Sequence, residues 1–150
     1  MRVALVMHVN GRDPRELELA LAVVTSLNEL FLRGTPGVPR LYESGVVYAT
    51  EPASSQSVAS SEERIASIPE VLALGWGDCD DLACYLSAER RVCDGIAARP
   101  RVVLEGIAPD GSHHWHVVVE HPDGQIEDPS VVLGMGSSEN LEGMYPEELQ

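Results

Sequence analysis

The sequence predicts a protein of the α+β class, and two observations support this prediction. Apolar residues recur at helical spacing in two segments, about residues 14–32 and about residues 78–92. After the second segment come three stretches of strand-like sequence, separated by the turn signals APDGS and PDGQ. A helix followed by three strands with short connections indicates an antiparallel meander.

The first half of the chain contains less regular elements around its one long helix. An apolar run rich in branched residues predicts a strand at residues 3–9, and Gly34 follows the last apolar position of the first helix. The segment VVYAT at residues 46–50 predicts a short strand. EPASSQSVASSEE at residues 51–63 predicts a mobile surface loop, because it contains almost no large apolar side chains. ERIASIPEVLALG then predicts a short helix.

Length and composition favour one folded domain over residues 1–150. The chain is 44% hydrophobic and 23% charged, and it is long enough to bury a core without disulfides. Residues from about 136 onward, rich in glycine, serine and glutamate, predict an irregular tail. The formal net charge of −14 argues against nucleic acid or an anionic membrane as a partner.

The spacing of the cysteines and the N-terminal sequence indicate the cellular compartment. Three cysteines without a CxxC pair do not resemble a disulfide framework, which fits a reducing compartment. MRVALVMHVN lacks a cleavage site of small residues and is too short to cross a bilayer. We therefore expect a cytoplasmic protein.

The segment GWGDCDDLACYL, residues 75–86, combines a cysteine with the start of the second helix. Asp78 suits the N-cap and Asp81, three residues later, supports the first turn. Helical periodicity places Cys79 on the apolar face with Leu82, Ala83 and Leu86. We interpret Asp80 and Asp81 as first-turn residues that face solvent, with a buried bond of one of them inside the core as the alternative. Cys79 then faces inward, where a neighbouring imidazole could activate its thiol.

A histidine and an aspartate downstream fit that requirement. His116 lies in the strand HHWHVVVEH, and Asp128 follows the PDGQ turn twelve residues later. A hairpin with a short loop brings residues at this separation into cross-strand contact. Cysteine at a helix start, histidine on one strand and aspartate near the next supply a nucleophile, a base and a group that orients the base.

The same residues allow other roles. His114 and His116 share one face of their strand, and Asp128 or Cys79 could complete a zinc site with them. We expect His113 to be exposed. Trp76 and Trp115 are either packing residues or walls of the site.

The string GDCDDLA, followed by HVVV and then DPS, resembles the transglutaminase-like branch of the papain-type cysteine hydrolases. The fuller pattern from LYESGVVY to LGM, roughly residues 38–135, is similar to small transglutaminase-like proteins of bacteriophages. This resemblance implies an α+β fold whose central helix carries the cysteine at its N-terminus and packs on an antiparallel sheet.

The resemblance also implies roles for individual residues. Cys79 becomes the nucleophile, His116 the base and Asp128 the orienting residue. Many members carry His-x-Trp at the base, which would select His113 instead. The sequence departs from the papain-type pattern in having no obvious glutamine as the oxyanion donor, so the backbone N–H of Cys79, with Trp76, would have to bind the oxyanion.

We therefore expect a cysteine-dependent acyl-transfer enzyme without a cofactor that acts on a peptide or protein amide in the host cytoplasm. The alternative is a catalytically silent phage assembly or virion-associated module that binds phage structural proteins. A zinc-binding protein is the third hypothesis.

Overall fold

The computed structural model describes residues 2–8, 13–50, 62–111 and 113–136. Within these ranges the helices are α1 (Arg15–Gly34), α2 (Ile68–Leu74), α3 (Cys79–Cys93) and α4 (Pro129–Val132). The strands are β1 (Ala4–His8), β2 (Val47–Tyr48), β3 (Glu62–Ala66), β4 (Trp76–Gly77), β5 (Arg99–Ile107), β6 (His113–Glu120) and β7 (Ile126–Glu127). The α+β class predicted from the sequence is confirmed.

The predicted meander is present in the second half of the chain. Strands β5, β6 and β7 form an antiparallel sheet in that order. Val103 pairs with His116 across β5 and β6, and Val119 pairs with Glu127 across β6 and β7. Two further pairs, β1 with β3 (antiparallel) and β2 with β4 (parallel), form separate two-stranded sheets.

Helix α3 is the centre of the fold. It packs against α1 on one side and against β5 and β6 on the other. Every residue from Asp80 to Glu89 is buried, and the largest of these side chains, Tyr85, is fully buried. Burial around the whole circumference exceeds the single apolar face that the periodicity predicts.

The region of the predicted loop differs from the prediction at its C-terminal end. Glu62 and Glu63 belong to strand β3, which pairs with β1, and the helix begins only at Ile68. The loop prediction for residues 51–61 lies outside the described residues, as does most of the predicted tail, residues 137–150. In the described part of the chain, no helix combines the length and apolar character needed to span a bilayer.

Candidate active site at the start of helix α3

Cys79 is the first residue of α3, and the start of this helix forms as predicted. The Asp78 side chain accepts a hydrogen bond from the Asp81 N–H, and the Asp81 side chain accepts one from the Asp78 N–H. This capping box fixes where the helix begins. The Cys79 side chain is half-buried against the core, and the Val117 backbone N–H on β6 lies close enough to its sulfur to lower the thiol pKa.

The environment of Cys79 keeps the thiol protonated. Burial and the nearby Asp78 carboxylate raise the pKa of Cys79 to about 12, although the Val117 N–H acts in the opposite direction. The dipole at the start of α3 is too weak to reverse this effect. Thiolate chemistry at neutral pH therefore requires a base next to the sulfur.

His116 and Asp128 lie in direct contact. His116 Nε2 and Asp128 Oδ2 are 2.7 Å apart, and the His116 side chain is 8% exposed. The second oxygen of Asp128 accepts a hydrogen bond of 3.1 Å from the Ser130 N–H at the start of α4. The turn between β6 and β7 creates this contact, because it pairs Val119 with Glu127 and carries the next residue back beside His116.

The carboxylate determines the state of the imidazole. Burial alone would lower the pKa of His116, but the hydrogen bond to Asp128 and its negative charge outweigh burial and raise it. Since Asp128 occupies Nε2, Nδ1 is the ring nitrogen through which His116 can accept a proton. His116 directly precedes Val117, whose N–H contacts the sulfur of Cys79. The three predicted residues therefore converge on one short stretch of β6.

The variant Asp128→Asn should lower the pKa of His116. The raised pKa contributes stability that is complete below the ordinary histidine pKa and is lost as pH rises through the raised value. Asparagine is a good N-cap residue, so α4 should be retained while the negative charge is lost. NMR titration of the His116 ring checks this result, with His114 as the exposed control. An unchanged pKa would contradict the assigned contact.

Tyr48 is a residue of the site that the sequence did not reveal. Tyr48 lies in β2 and pairs with Gly77, which precedes Cys79 by two residues. The Tyr48 N–H donates a hydrogen bond of 2.9 Å to the Leu133 carbonyl. Burial, with the neighbouring Cys79 and Asp78, raises the pKa of Tyr48 to about 12, so its hydroxyl remains a donor. Only the pairing of β2 with β4 brings it here, and no local pattern encodes that pairing.

Gly77 explains part of the GWGDC sequence. A Cβ atom at this position would lie 3.1 Å from Asp81 Cβ and 3.2 Å from Leu82 Cδ2, closer than ordinary packing allows. Glycine therefore lets strand β4 approach the first turn of α3 without displacing the side chains of Asp81 and Leu82. This close approach fixes the chain that leads into Cys79.

The remaining predicted site residues take more peripheral positions. Trp76 is half-buried in β4 and pairs with Val47 of β2. Trp115 packs against the core, and the His113 ring meets it edge to face with centroids 5.4 Å apart. His113 is half-buried rather than exposed as expected, and its Nδ1 atom is buried without a hydrogen-bond partner. Asp128 thus contacts His116 and not the alternative base.

Asp80 and Asp81 do not face solvent, since both residues are 4% exposed, and the alternative of a buried bond inside the core holds for Asp81. Their carboxylates and that of Asp78 offer oxygens within 4.8 Å of one another. Burial, followed by the charge of Asp78, raises the pKa values of Asp80 and Asp81 well above the ordinary range. Asp81 faces inward because its Oδ1 accepts a 2.6 Å hydrogen bond from the Ala66 N–H of β3.

The same group of aspartates bears on the zinc hypothesis. Among the described residues, Asp78, Asp80 and Asp81 are the potential metal-binding side chains that come together as a group of three, with ligand atoms within 4.8 Å of one another. The donors named in that hypothesis, His114 and His116 with Cys79 or Asp128, do not form such a group. His114 is exposed, whereas His116 is buried against Asp128.

The variant Asp81→Ala should destabilise the fold by about 2–4 kcal/mol, because it leaves the N–H groups of Ala66 and Asp78 without their acceptor. Urea unfolding monitored by circular dichroism measures this loss. A change below about 0.5 kcal/mol, the range of ordinary surface substitutions, would contradict the role of Asp81.

Asp80→Asn is the matched control at the neighbouring position. A raised carboxyl pKa in the folded state favours folding at acidic pH and opposes it as pH rises through the raised value. Removing the charge should therefore increase stability at neutral pH and have little effect at acidic pH. Urea unfolding at neutral and at acidic pH measures whether the free energy of unfolding of Asp80→Asn increases at neutral pH only.

Comparison of the chain with protein-family models, curated proteins and solved structures gave no match.

Proposed function

We propose that the protein is a cysteine-dependent acyl-transfer enzyme that forms a thioester on Cys79. The observation that carries this proposal is the 2.7 Å contact between His116 and Asp128, one residue from the amide that contacts the Cys79 sulfur. A protonated thiol, an imidazole and a carboxylate on the Nε2 atom of that imidazole match the requirements of thiol catalysis.

The reaction would begin with a proton transfer. His116 accepts the thiol proton at Nδ1 while the sulfur of Cys79 bonds to the carbonyl carbon of an amide. The resulting oxyanion is stabilised by the Cys79 backbone N–H, which lies in the first turn of α3 and has no partner within the helix. His116 then donates its proton to the leaving amine, and a thioester remains.

The second half of the reaction regenerates the free thiol of Cys79 from the thioester. Water or an amine, activated by His116, attacks the thioester carbonyl, and the proton returns to the sulfur as the C–S bond breaks. Water gives a peptidase or amidase, and an amine gives a transglutaminase. We favour hydrolysis because water requires no second binding site.

The geometry and the sequence resemblance together support a more specific fold type and a phage-associated role. The half-buried cysteine at the start of a central helix, packed on an antiparallel sheet that carries the histidine, supports a papain or transglutaminase-like core. The resemblance of residues 38–135 supports a phage-associated role with a peptide or protein amide as substrate. Trp76, three residues before Cys79, and Trp115, next to His116 in the sequence, are candidate substrate contacts.

Acylation by p-nitrophenyl acetate tests the proposal. We expect a burst of p-nitrophenol and an acetyl group on Cys79, located by mass spectrometry of a peptide digest. Added methylamine distinguishes transfer to an amine from hydrolysis, because it yields N-methylacetamide. Acetylation of the exposed Cys93 in preference to Cys79 would contradict the proposal.

A catalytically silent binding module is the second candidate. The observation that favours it is the raised thiol pKa, about 12, since a thiol this strongly protonated is inert without a working base. In that case the Cys79→Ser variant would retain the biological activity of the chain. Loss of that activity with an intact fold would exclude the silent module.

A further inference from the structure

Helix α1 presents a regular row of exposed residues to solvent. The row, which we call the outer stripe, is spaced by three and four residues in alternation and consists of Glu16, Leu19, Val23, Ser26, Leu30 and Arg33. Leu19 and Leu30 are 69% and 68% exposed, and Val23 is 46% exposed. The opposite face of α1 contains the buried residues and packs against α3.

The spacing of the outer stripe is that of the a and d positions of a coiled coil. Glu16, Val23 and Leu30 occupy a, while the remaining three residues occupy d. The row runs from Glu16 to Arg33 within the 20-residue helix and is about 26 Å long, which is sufficient for six layers of contact with a second helix. The inner positions of the stripe hold three large apolar side chains and one serine, and each end carries a charge, which suits a helix-pairing surface.

We propose that the outer stripe binds the same stripe of a second copy of this chain, with the two α1 helices antiparallel. In antiparallel pairs, a residues face d residues of the other helix. A two-fold axis beside the middle of α1 then places Leu19 against Leu30 of the second copy and Val23 against Ser26. The same axis places Glu16 against Arg33.

Charge complementarity favours this orientation and this occupant. Antiparallel pairing brings the Glu16 carboxylate to the Arg33 guanidinium at both ends of the interface. A parallel pair would place glutamate against glutamate and arginine against arginine, which is unfavourable. Arg33 is 63% exposed, and its ion contact with Glu29 within α1 is long, at 3.9 Å. Its guanidinium is therefore accessible to a second chain.

A neighbouring groove widens the apolar surface at Leu30. A cavity of about 220 Å³ is bordered by Leu30 together with Val3, Leu27, Phe31 and Pro69. Leu19 of the second copy, opposite Leu30, would pack at the mouth of this groove. The two-fold axis repeats this contact at the other end of the interface, so the Leu19–Leu30 contact occurs twice in the dimer.

The proposed interface is separate from the site at the start of α3, since α1 contributes none of the residues assigned there. Dimerisation is therefore independent of the proposed function, and its test requires no substrate. The chain carries a net charge of −14, which opposes self-association at low salt. Measurements belong at about 0.15 M ionic strength, where the screening length is about 8 Å.

Sedimentation velocity over a range of protein concentrations tests the dimer. We expect a monomer–dimer equilibrium that Leu19→Glu weakens by about tenfold or more, because the new carboxylate lies against Leu30 of the second copy. Ile107→Glu on β5 is the matched control, with a 62% exposed apolar residue away from the stripe. A chain that remains monomeric, or a dimer that Leu19→Glu leaves unchanged, would overturn the proposal.

A charge exchange tests the antiparallel orientation. Glu16→Arg alone and Arg33→Glu alone should each weaken the dimer, because like charges meet at both ends. The double variant should restore the wild-type dissociation constant to within a few fold, since the pairs reform with reversed polarity. A double variant as weak as both changes combined would overturn the antiparallel arrangement. Circular dichroism verifies that each variant retains its helices.

Discussion

Replacing Cys79 with alanine should reduce the rate of acyl transfer from p-nitrophenyl acetate by at least about 10³-fold, the scale on which loss of a covalent nucleophile acts. The physical reason is that the attacking atom itself is removed. Burst amplitude and intact mass together measure the effect. The fold should remain, because the half-buried Cys79 side chain makes its polar contact with a single backbone N–H.

The other two cysteines provide controls. Cys93→Ala removes an exposed thiol at the end of α3 and should leave the burst unchanged. Cys84 is fully buried, and burial raises the pKa of its thiol further. Its replacement tests packing rather than chemistry. A burst that persists in Cys79→Ala and disappears in Cys93→Ala would contradict the assignment of the nucleophile.

Replacing His116 with alanine should reduce the same rate by about 10²- to 10⁴-fold, the range attributed to a general base. The effect should be large because the thiol has a pKa of about 12 and the fraction of thiolate at neutral pH is negligible without a base. The alternative base provides the matched variant. His113→Ala should change the rate by only a few fold, because Asp128 orients the other ring.

The shape of the pH profile separates a base from a packing residue. In His116→Ala the remaining rate should rise with pH throughout the alkaline range, as for an unassisted thiol. In the native chain the rate should instead level off once His116 is neutral. If His113→Ala gave the larger loss, the His-x-Trp pattern would identify the base and the role of Asp128 would require revision.

Much of the site could be predicted because it depends on local sequence. Asp78 and Asp81 encode the start of α3 through backbone capping, which involves only neighbouring residues. The separation of His116 and Asp128 encodes their contact, because a tight turn leaves the hairpin little freedom in register. Both inferences use distances along the chain of a dozen residues or fewer.

The features that the sequence did not predict depend on pairing between distant segments of the chain. Strand β3 has the charged sequence EERIA and forms by pairing with β1, more than fifty residues earlier. The Ala66 N–H of this strand donates a hydrogen bond to Asp81 and holds its side chain in the interior, and the helical pattern alone does not identify this donor. Tyr48 reaches the site through the two-residue pairing of β2 with β4, which is too short to leave a signal in the sequence.

The central claim is that His116 removes the proton from Cys79, and the pH dependence of Cys79 alkylation by iodoacetamide tests it most directly. Mass spectrometry measures the modification of each cysteine separately, without a substrate. Cys79 should react at neutral pH faster than the exposed Cys93, and His116→Ala should move its reactivity to strongly alkaline pH. A Cys79 that reacts only near its own thiol pKa of about 12, with or without His116, would contradict the claim.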